Sequence, residues 1–248
     1  RFPDIDPESD GFKQNAQTFL YTIGDGQSPG RNVFDAKMVG SDNDKVYPIV
    51  KSTSKDASYG LGLWASSDEF YSAFKTDWIS LKSGNPKWKP IYTDKDYVNS
   101  FSPQLDGTKM YFLSAKDANH SVSMVDLSNE HAQFSPTTII PPFDDQVIDS
   151  FTLTSDGIWA TTTTNGIKAQ LYHLSNKKLQ KIELGVPAGS IELRSLSPKS
   201  DFLMVYPGGW TSSTDRFVYK DGKFLSSPIP LNEKDSLFQD IVVVETEY

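Results

Sequence analysis

The chain has 248 residues, with 24 Lys and Arg against 32 Asp and Glu, and a formal net charge of −8. This length suits one large domain or two small ones, and the 12% aromatic content excludes a disordered chain. The acidic balance argues against nucleic-acid and membrane partners, and the absence of cysteine excludes disulfides and thiolate metal sites.

The chain begins with a polar segment rich in Pro and Asp, residues 1–17, which predicts an N-terminal arm before a single folded domain over 18–248. The first strand-like run is Thr18–Thr22, and a weaker one, Ala36–Val39, precedes Gly40. One Asn-x-Ser triplet, at Asn119, is an acceptor for glycosylation. We expect a monomer that is secreted or held at the cell surface.

Two elements then recur along the chain. The run Val98–Phe101 returns as Ile148–Phe151 and as Leu193–Leu196. Further along each repeat, a strand-like run ends in a tight polar turn; the runs are Trp78–Leu81, Met124–Leu127, Leu171–Leu174 and Arg216–Tyr219, and their turns are Ser83–Gly84, Ser128–Asn129, Ser175–Asn176 and Asp221–Gly222. The period is about 46 residues, which is typical of a propeller blade of four short strands.

These repeats predict an all-β propeller of five four-stranded blades. The run Ile241–Val244 follows the fifth turn and sits where the next innermost strand belongs, so we expect this C-terminal strand to close the ring. A fragment of a larger ring of six to eight blades is the alternative.

The segment Ser102–Ser114, with Ser-Pro, Asp-Gly and a following strand-like run, resembles the Ser-Pro-Asp-Gly blade motif of TolB-like propellers and of the N-terminal propellers of the prolyl oligopeptidase family. Ser197–Tyr206 is a second match. In those peptidases catalysis belongs to a separate α/β-hydrolase domain with a Gly-x-Ser-x-Gly elbow, and we predict no such domain in this chain. The resemblance implies a non-catalytic module that binds or gates a ligand at the mouth of its central channel.

A weaker resemblance is to five-bladed arabinanase-like and xylosidase-like glycosidases, whose catalytic carboxylates lie in the central funnel. The pairs Ile148–Asp149 and Ile191–Glu192, and Asp6 in the arm, are similar to the positions of those acids. This resemblance implies an alternative function, a glycoside hydrolase with Asp6, Asp149 and Glu192 as its catalytic carboxylates.

Acidic residues also begin or precede several predicted innermost strands; they are Asp96, Asp149, Glu192 and Asp240. Because innermost strands line the axial channel, these carboxylates would converge at its mouth and bind a polar ligand or Ca²⁺, and we expect no other cofactor. Ordinary turn chemistry is the alternative explanation for each acid.

Aromatic residues at the channel mouth could also bind a ligand. Trp64 and Trp210 are candidates for sugar stacking, with blade packing as the alternative. His173 lies within a predicted strand, where we expect a packed or edge residue. The ligand predicted for the channel mouth is therefore a small molecule, a carbohydrate or a peptide.

Overall fold

The structure is a computed structural model, which describes residues 1–226 except for 4–5, 13, 25–29, 44, 52–55, 130–132 and 210–215. Nearly all regular structure in these residues is antiparallel β-sheet. The exceptions are one helix, α1 (Trp78–Lys82), and two 3₁₀ turns, Lys37–Val39 and Asp94–Asp96. None of the helices described is long and apolar enough to cross a bilayer.

The strands form five sheets, and four of these have four strands each. The first sheet consists of β1 (Thr18–Leu20) and β2 (Arg31–Phe34); the second of β3 (Tyr47–Lys51), β4 (Tyr59–Ala65), β5 (Ser72–Asp77) and β6 (Lys89–Tyr92); the third of β7 (Gln104–Asp106), β8 (Lys109–Ser114), β9 (Ser121–Asp126) and β10 (Thr137–Ile140); the fourth of β11 (Val147–Thr154), β12 (Gly157–Thr164), β13 (Lys168–Ser175) and β14 (Lys178–Ile182); the fifth of β15 (Ser190–Arg194), β16 (Phe202–Gly208), β17 (Phe217–Lys220) and β18 (Lys223–Ser226). In every sheet, strands that are neighbours in the sequence are neighbours in the sheet.

This series of antiparallel sheets confirms the predicted all-β, propeller-type fold, and the number of sheets equals the number of predicted blades. The first sheet has two described strands instead of the predicted four. The closing strand predicted at Ile241–Val244 lies outside the described residues.

Two of the predicted polar turns are tight hairpins. Asp221 and Gly222 have φ of 51° and 76° between β17 and β18, and Asn176 and Lys177 have φ of 49° and 63° between β13 and β14. Two consecutive residues with positive φ make the turn whose twist matches that of paired strands. The first turn lies at the predicted pair Asp221–Gly222, whereas the second is shifted by one residue from the predicted pair Ser175–Asn176.

Two predicted strands are helical instead. The run Trp78–Leu81 belongs to α1, because the Asp77 side chain accepts a hydrogen bond from the Ser80 backbone N–H at 2.7 Å and caps the helix. Hydrogen bonds from the Ser80 side chain and from its backbone N–H lower the pKa of Asp77. The run Ala36–Val39 forms a 3₁₀ turn that ends at Gly40, whose φ is 69°.

The recurring run Val98–Phe101 is not a continuous strand in its first copy. Asn99 makes one isolated bridge with Phe70, the chain turns, and the third sheet begins only at β7. Val98 is nevertheless fully buried, as is Ile148, the equivalent residue of the next copy. The second copy, Ile148–Phe151, lies within β11, so these two copies share a buried first residue but differ in backbone structure.

The described residues divide into two compact units. The first unit contains residues 1–112 and 124–137, and the second contains 113–123 and the described residues after 137. Each unit has a hydrophobic core built from two successive sheets: Leu61, Leu63, Ala73, Leu105, Met110 and Phe112 in the first unit, and Trp159, Leu171, Ile191, Leu203 and Val205 in the second. Within each unit, burial of apolar surface between two successive sheets therefore holds those two sheets together.

A buried polar chain runs through the fourth sheet. His173 stacks on Trp159 with ring centroids 3.9 Å apart and planes inclined by 8°. The Trp159 indole N–H donates to Thr154 Oγ1 at 3.1 Å, and Thr154 Oγ1 donates to Asp156 Oδ1 at 2.6 Å. His173 Nε2 lies 3.6 Å from the same Asp156 oxygen. The prediction that His173 is a packed residue is confirmed.

The backbone conformation at Gly157 predicts that a larger residue there strongly lowers the free energy of unfolding. Gly157 has φ of 144°, and a Cβ there would lie 2.1 Å from the Leu174 carbonyl oxygen. We expect Gly157→Ala to lower the free energy of unfolding by about 2–4 kcal/mol in urea denaturation. The control is Gly107→Ala, at φ of 57° with open space around it, which should cost about 1 kcal/mol. Equal losses in the two variants would contradict the steric explanation.

The His173 ring predicts a pH-dependent stability. Burial lowers the pKa of His173, while the Asp156 carboxylate opposes this shift. The unfolded chain therefore takes up this proton at higher pH than the folded one, and the free energy of unfolding should fall as pH drops below about 6.5. Urea midpoints measured between pH 7.5 and pH 5 should fall more steeply in the wild type than in His173→Phe. Parallel slopes would show that His173 does not contribute.

Candidate functional site

Asp149 lies at a β-bulge in β11, the first strand of the fourth sheet. The strand register changes between the pair Ile148–Thr162 and the pair Ser150–Thr161, which leaves Asp149 without an opposite residue on β12. A bulge of this kind bends the strand and redirects the side chains beside it. The bulge therefore determines where the Asp149 carboxyl group points.

The redirected side chains meet hydroxyl groups of β12. Asp149 Oδ1 accepts a hydrogen bond from Thr163 Oγ1 at 3.1 Å, and the hydroxyls of Ser150 and Thr161 are 2.7 Å apart. Thr161 and Thr163 are two residues apart on one strand and so share a face of the sheet. Asp149 and Ser150 are therefore both on that face, beside a row of hydroxyl groups.

The His120 side chain, in the turn that precedes β9, lies beside the bulge in β11. His120 has φ of 55°, and its Nδ1 lies 3.0 Å from the Ile148 carbonyl oxygen. Because a carbonyl oxygen only accepts, Nδ1 carries the hydrogen, which leaves Nε2 as the acceptor of the neutral ring. The Ile148 N–H donates to the Asn119 carbonyl at 3.0 Å, so the turn is fixed to β11 from both sides.

We call the group of Asp149, Ser150, Thr161, Thr163 and His120 the bulge site. Asp149 is exposed as a residue, but partial burial of its carboxyl group raises its pKa, while the Thr163 hydroxyl and His120 oppose the shift. A carboxyl group with a raised pKa beside an imidazole can bind an amine, a hydroxyl or a peptide N–H, and it can exchange a proton with them.

The turn beside the bulge site also contains the predicted glycosylation residue. The Asn119 side-chain nitrogen, the atom that would carry a glycan, donates to the Phe143 carbonyl at 2.6 Å. It also lies 3.3 Å from the Asp144 carbonyl. These bonds hold the Asn119 side chain against the segment that leads into β11.

Glu192 lies on β15, the first strand of the fifth sheet, in an exposed ion pair. Its Oε1 is 2.7 Å from Arg194 Nε, and the hydrogen bond raises the pKa of Arg194. The Arg194 guanidinium also lies 5.3 Å from the centre of the Tyr206 ring. Arg194 was not among the predicted site residues, and it gives this position a donor group in addition to the predicted carboxylate.

Two other predicted acids take part in local turns. Asp96 Oδ2 accepts from the Thr93 backbone N–H at 2.8 Å and closes a capping box on the 3₁₀ turn Asp94–Asp96. Asp6 Oδ1 accepts from the Glu8 N–H at 3.1 Å. In these contacts the carboxylates accept hydrogen bonds within local turns, which was the alternative to a ligand site at the channel mouth.

Trp64 lies within a cluster of aromatic rings in the first unit. Its ring centroid is 5.7 Å from that of Phe34 and 6.3 Å from that of Phe74. Phe34 is also 4.6 Å from Trp88, and Gly62 leaves the space that these two rings occupy. Trp64 therefore contributes to blade packing. Trp210 and Asp240 lie outside the described residues.

No three His, Asp or Glu side chains of the described residues lie close enough together to hold a metal ion. Ca²⁺ at the channel mouth stays a prediction, because Asp240 belongs to the part of the chain that is not described.

The sequence contains one match to the Gly-x-Ser-x-Gly pattern, at Gly26–Gly30. We did not take this match into account when we predicted that the chain has no hydrolase domain. A nucleophile elbow places its serine between a strand and a helix. Here Pro29 follows Ser28, and the next element is the strand β2. The match lacks the context of an elbow, although residues 25–29 themselves lie outside the described residues.

Comparison with known proteins gives a match of fold only. No family model and no curated protein match the sequence. Among solved structures, prolyl oligopeptidase B from Galerina marginata bound to a 25mer macrocyclization substrate is 14% identical with a TM-score of 0.72, covering 89% of this chain and 30% of that chain. Oligopeptidase B from Trypanosoma brucei with covalently bound antipain is 16% identical with a TM-score of 0.63, covering 85% and 30%.

The apo form of the Galerina marginata enzyme gives a similar result, with 15% identity, a TM-score of 0.69 and coverage of 84% and 28%. The chain thus spans about 30% of the length of the solved peptidases that it matches. The N-terminal region of these peptidases is a β-propeller. The resemblance to prolyl oligopeptidase propellers is therefore confirmed for the fold.

The raised pKa of Asp149 predicts the effect of removing its charge. Asparagine keeps an oxygen that accepts from Thr163 but cannot ionise. Because the folded chain holds the proton of Asp149 more strongly than the unfolded chain, the wild type loses stability as pH rises above 3.8 through the raised pKa. We expect Asp149→Asn to have a higher urea midpoint than the wild type at pH 7 and the same midpoint at pH 3.

The matched control is Glu192→Gln, which removes a carboxylate from an exposed ion pair and should leave the pH 7 midpoint unchanged or slightly lower. A lower midpoint for Asp149→Asn at pH 7 would contradict the raised pKa.

Proposed function

We propose that this chain is a non-catalytic propeller module that binds or gates peptides for a hydrolase domain of the prolyl oligopeptidase type. The observation that carries the proposal is the likeness of fold over 84–89% of this chain to about 30% of each peptidase chain. Three of the matched structures hold peptide substrates of 25 or 35 residues. Peptides are therefore the ligand class that we assign to this module.

The second unit contains polar groups suited to a peptide. The Asp149 carboxyl group can accept from a peptide N–H or a terminal ammonium group, and the Thr163 hydroxyl lies beside it. Arg194 can donate to a peptide carbonyl from the exposed end of its guanidinium group. Asp149 and Arg194 both lie on the first strand of a sheet, which is the innermost strand of a propeller blade.

A second candidate function is glycoside hydrolysis at a site that includes Asp149. The raised pKa of Asp149 favours it, since the general acid of a glycosidase must hold its proton near neutral pH. Glu192 would be the partner carboxylate, with Asp6 as the third acid. This candidate assigns the chemistry to the chain itself, so activity assays separate it from the first.

The mass of the native protein tests the peptide-gating proposal. We expect the protein isolated from its source to be about three times heavier than the 27.7 kDa of this chain, because the chain matches about 30% of each peptidase. We also expect it to react with a fluorophosphonate probe for serine hydrolases. A native mass near 27.7 kDa without probe labelling would overturn the proposal.

Assays of the chain alone test both candidates. Under the first, it hydrolyses neither prolyl peptides nor arabinan, xylan or galactan. Under the second, it cleaves at least one of these glycans, and Asp149→Asn abolishes the cleavage. Hydrolysis that persists in Asp149→Asn would exclude a catalytic role for Asp149.

A further inference from the structure

Two arginine side chains lie against one tyrosine ring in the fifth sheet, and we call the three residues the arginine–tyrosine group: Arg194, Tyr206 and Arg216. The guanidinium carbon of Arg194 is 5.3 Å from the centre of the Tyr206 ring, and that of Arg216 is 6.0 Å from it. A guanidinium group at such a distance is attracted by the electrons of the ring face. The ring therefore has two positive charges beside it.

The pairing of the strands explains why these side chains meet. Arg194 of β15 pairs with Met204 of β16, and Glu192 of β15 pairs with Tyr206. Paired residues, and residues two apart on one strand, point to the same face of a sheet. Arg216 directly precedes β17, which pairs with β16 along its other edge. Arginine residues on both sides of β16 thus reach the Tyr206 ring.

This face lies opposite the one that packs on the fourth sheet. Ile191 and Val205 belong to the hydrophobic core that includes Trp159, and they alternate along β15 and β16 with the residues that carry the arginine–tyrosine group. Tyr206 is partly buried, and the Arg194 side chain is 63% exposed. The arginine–tyrosine group therefore lies outside that core, where a ligand can reach Arg194.

Both arginines have N–H groups that can still donate to a ligand. Glu192 Oε1 accepts from Arg194 Nε at 2.7 Å, which leaves the two terminal amino groups of that guanidinium outside this bond. Within the described part of the chain, no carboxylate or carbonyl group accepts a hydrogen bond from Arg216. Because a guanidinium group has five N–H donors and no acceptor, these groups suit a ligand that supplies oxygen atoms.

Two lysines add positive charge to the same face. Lys220 of β17 pairs with Phe202 of β16, which lies on the face of the arginine–tyrosine group, and Lys223 of β18 pairs with Lys220. Lys220 Nζ lies 3.6 Å from Asp201 Oδ2, and Asp221 lies in the turn between β17 and β18. With the two arginines and their one carboxylate partner, the face has more cations than carboxylates, in a chain whose formal net charge is −8.

We propose that the arginine–tyrosine group binds the carboxylate side chains of an acidic peptide segment. A guanidinium group can make two parallel hydrogen bonds to a carboxylate, and the Tyr206 ring offers an apolar surface to the aliphatic part of an acidic side chain. That the ligand is a peptide rests on the function proposed above, whereas its charge rests on this face. Because the titration that tests the inference uses this chain alone, its outcome does not depend on whether the native protein contains a hydrolase domain.

The test is a titration of the chain with the labelled peptide Gly-Glu-Gly-Glu-Gly-Glu, followed by fluorescence anisotropy at low ionic strength, where charges are least screened. We expect Arg216→Gln to weaken binding about two- to fivefold. Arg216→Lys should weaken it less, because lysine keeps the charge but loses the planar fork of donors. Glu192→Gln should strengthen binding, since it removes the carboxylate that competes for Arg194.

The matched control is Lys178→Gln, which removes the same charge from an exposed residue of the fourth sheet in the same unit. It should leave the affinity for the peptide unchanged. Urea midpoints of all variants check that each is folded.

Three outcomes would overturn the proposal. One is equal affinity of the wild type and Arg216→Gln. Another is an equal loss of affinity in Lys178→Gln, which would show attraction by the overall charge of the unit. The third is displacement of the peptide by inorganic phosphate at a lower concentration than by acetate, since a phosphate group would then be the preferred ligand.

Discussion

The burial of apolar side chains between successive sheets is the interaction on which the structure depends. A four-stranded sheet with two apolar faces cannot bury both by itself. Leu61, Phe112 and Trp159 have almost no contact with solvent, because each lies between two sheets of its unit.

The bulge site shows how such a scaffold holds a polar group that the core does not need. One extra residue in β11 brings Asp149 beside a hydroxyl row, and the turn before β9 adds His120. The Thr163 hydroxyl holds the Asp149 carboxyl group, whose raised pKa predicts that its charge opposes stability at neutral pH. Carboxyl groups with a perturbed pKa that are held by several hydrogen bonds are candidates for a functional role.

The sequence predicted the parts of the fold that are determined locally or by repetition. The turns at Asn176 and at Asp221 follow from residues that tolerate positive φ, and the period of the repeat follows from blades of equal size. The helix α1 was missed, because one hydrogen bond from the Ser80 backbone N–H to the Asp77 side chain outweighed an apolar run that is typical of a strand. The bulge was missed because a single inserted residue does not disturb the repeat. Asp149 was among the predicted site residues and its role stays a prediction, whereas His120 and Arg194 reach their neighbours only through tertiary structure and strand pairing.

The order of strands within the sheets has a consequence for how the chain folds. Every sheet of the described residues is an uninterrupted meander, so the strand pairing within them joins segments that are close in sequence. Such pairing costs little loop-closure entropy, unlike the crossed topologies of many other β proteins. Each meander can therefore form while the chain leaves the ribosome, without waiting for distant segments. Later segments then need only add to a surface that is already assembled.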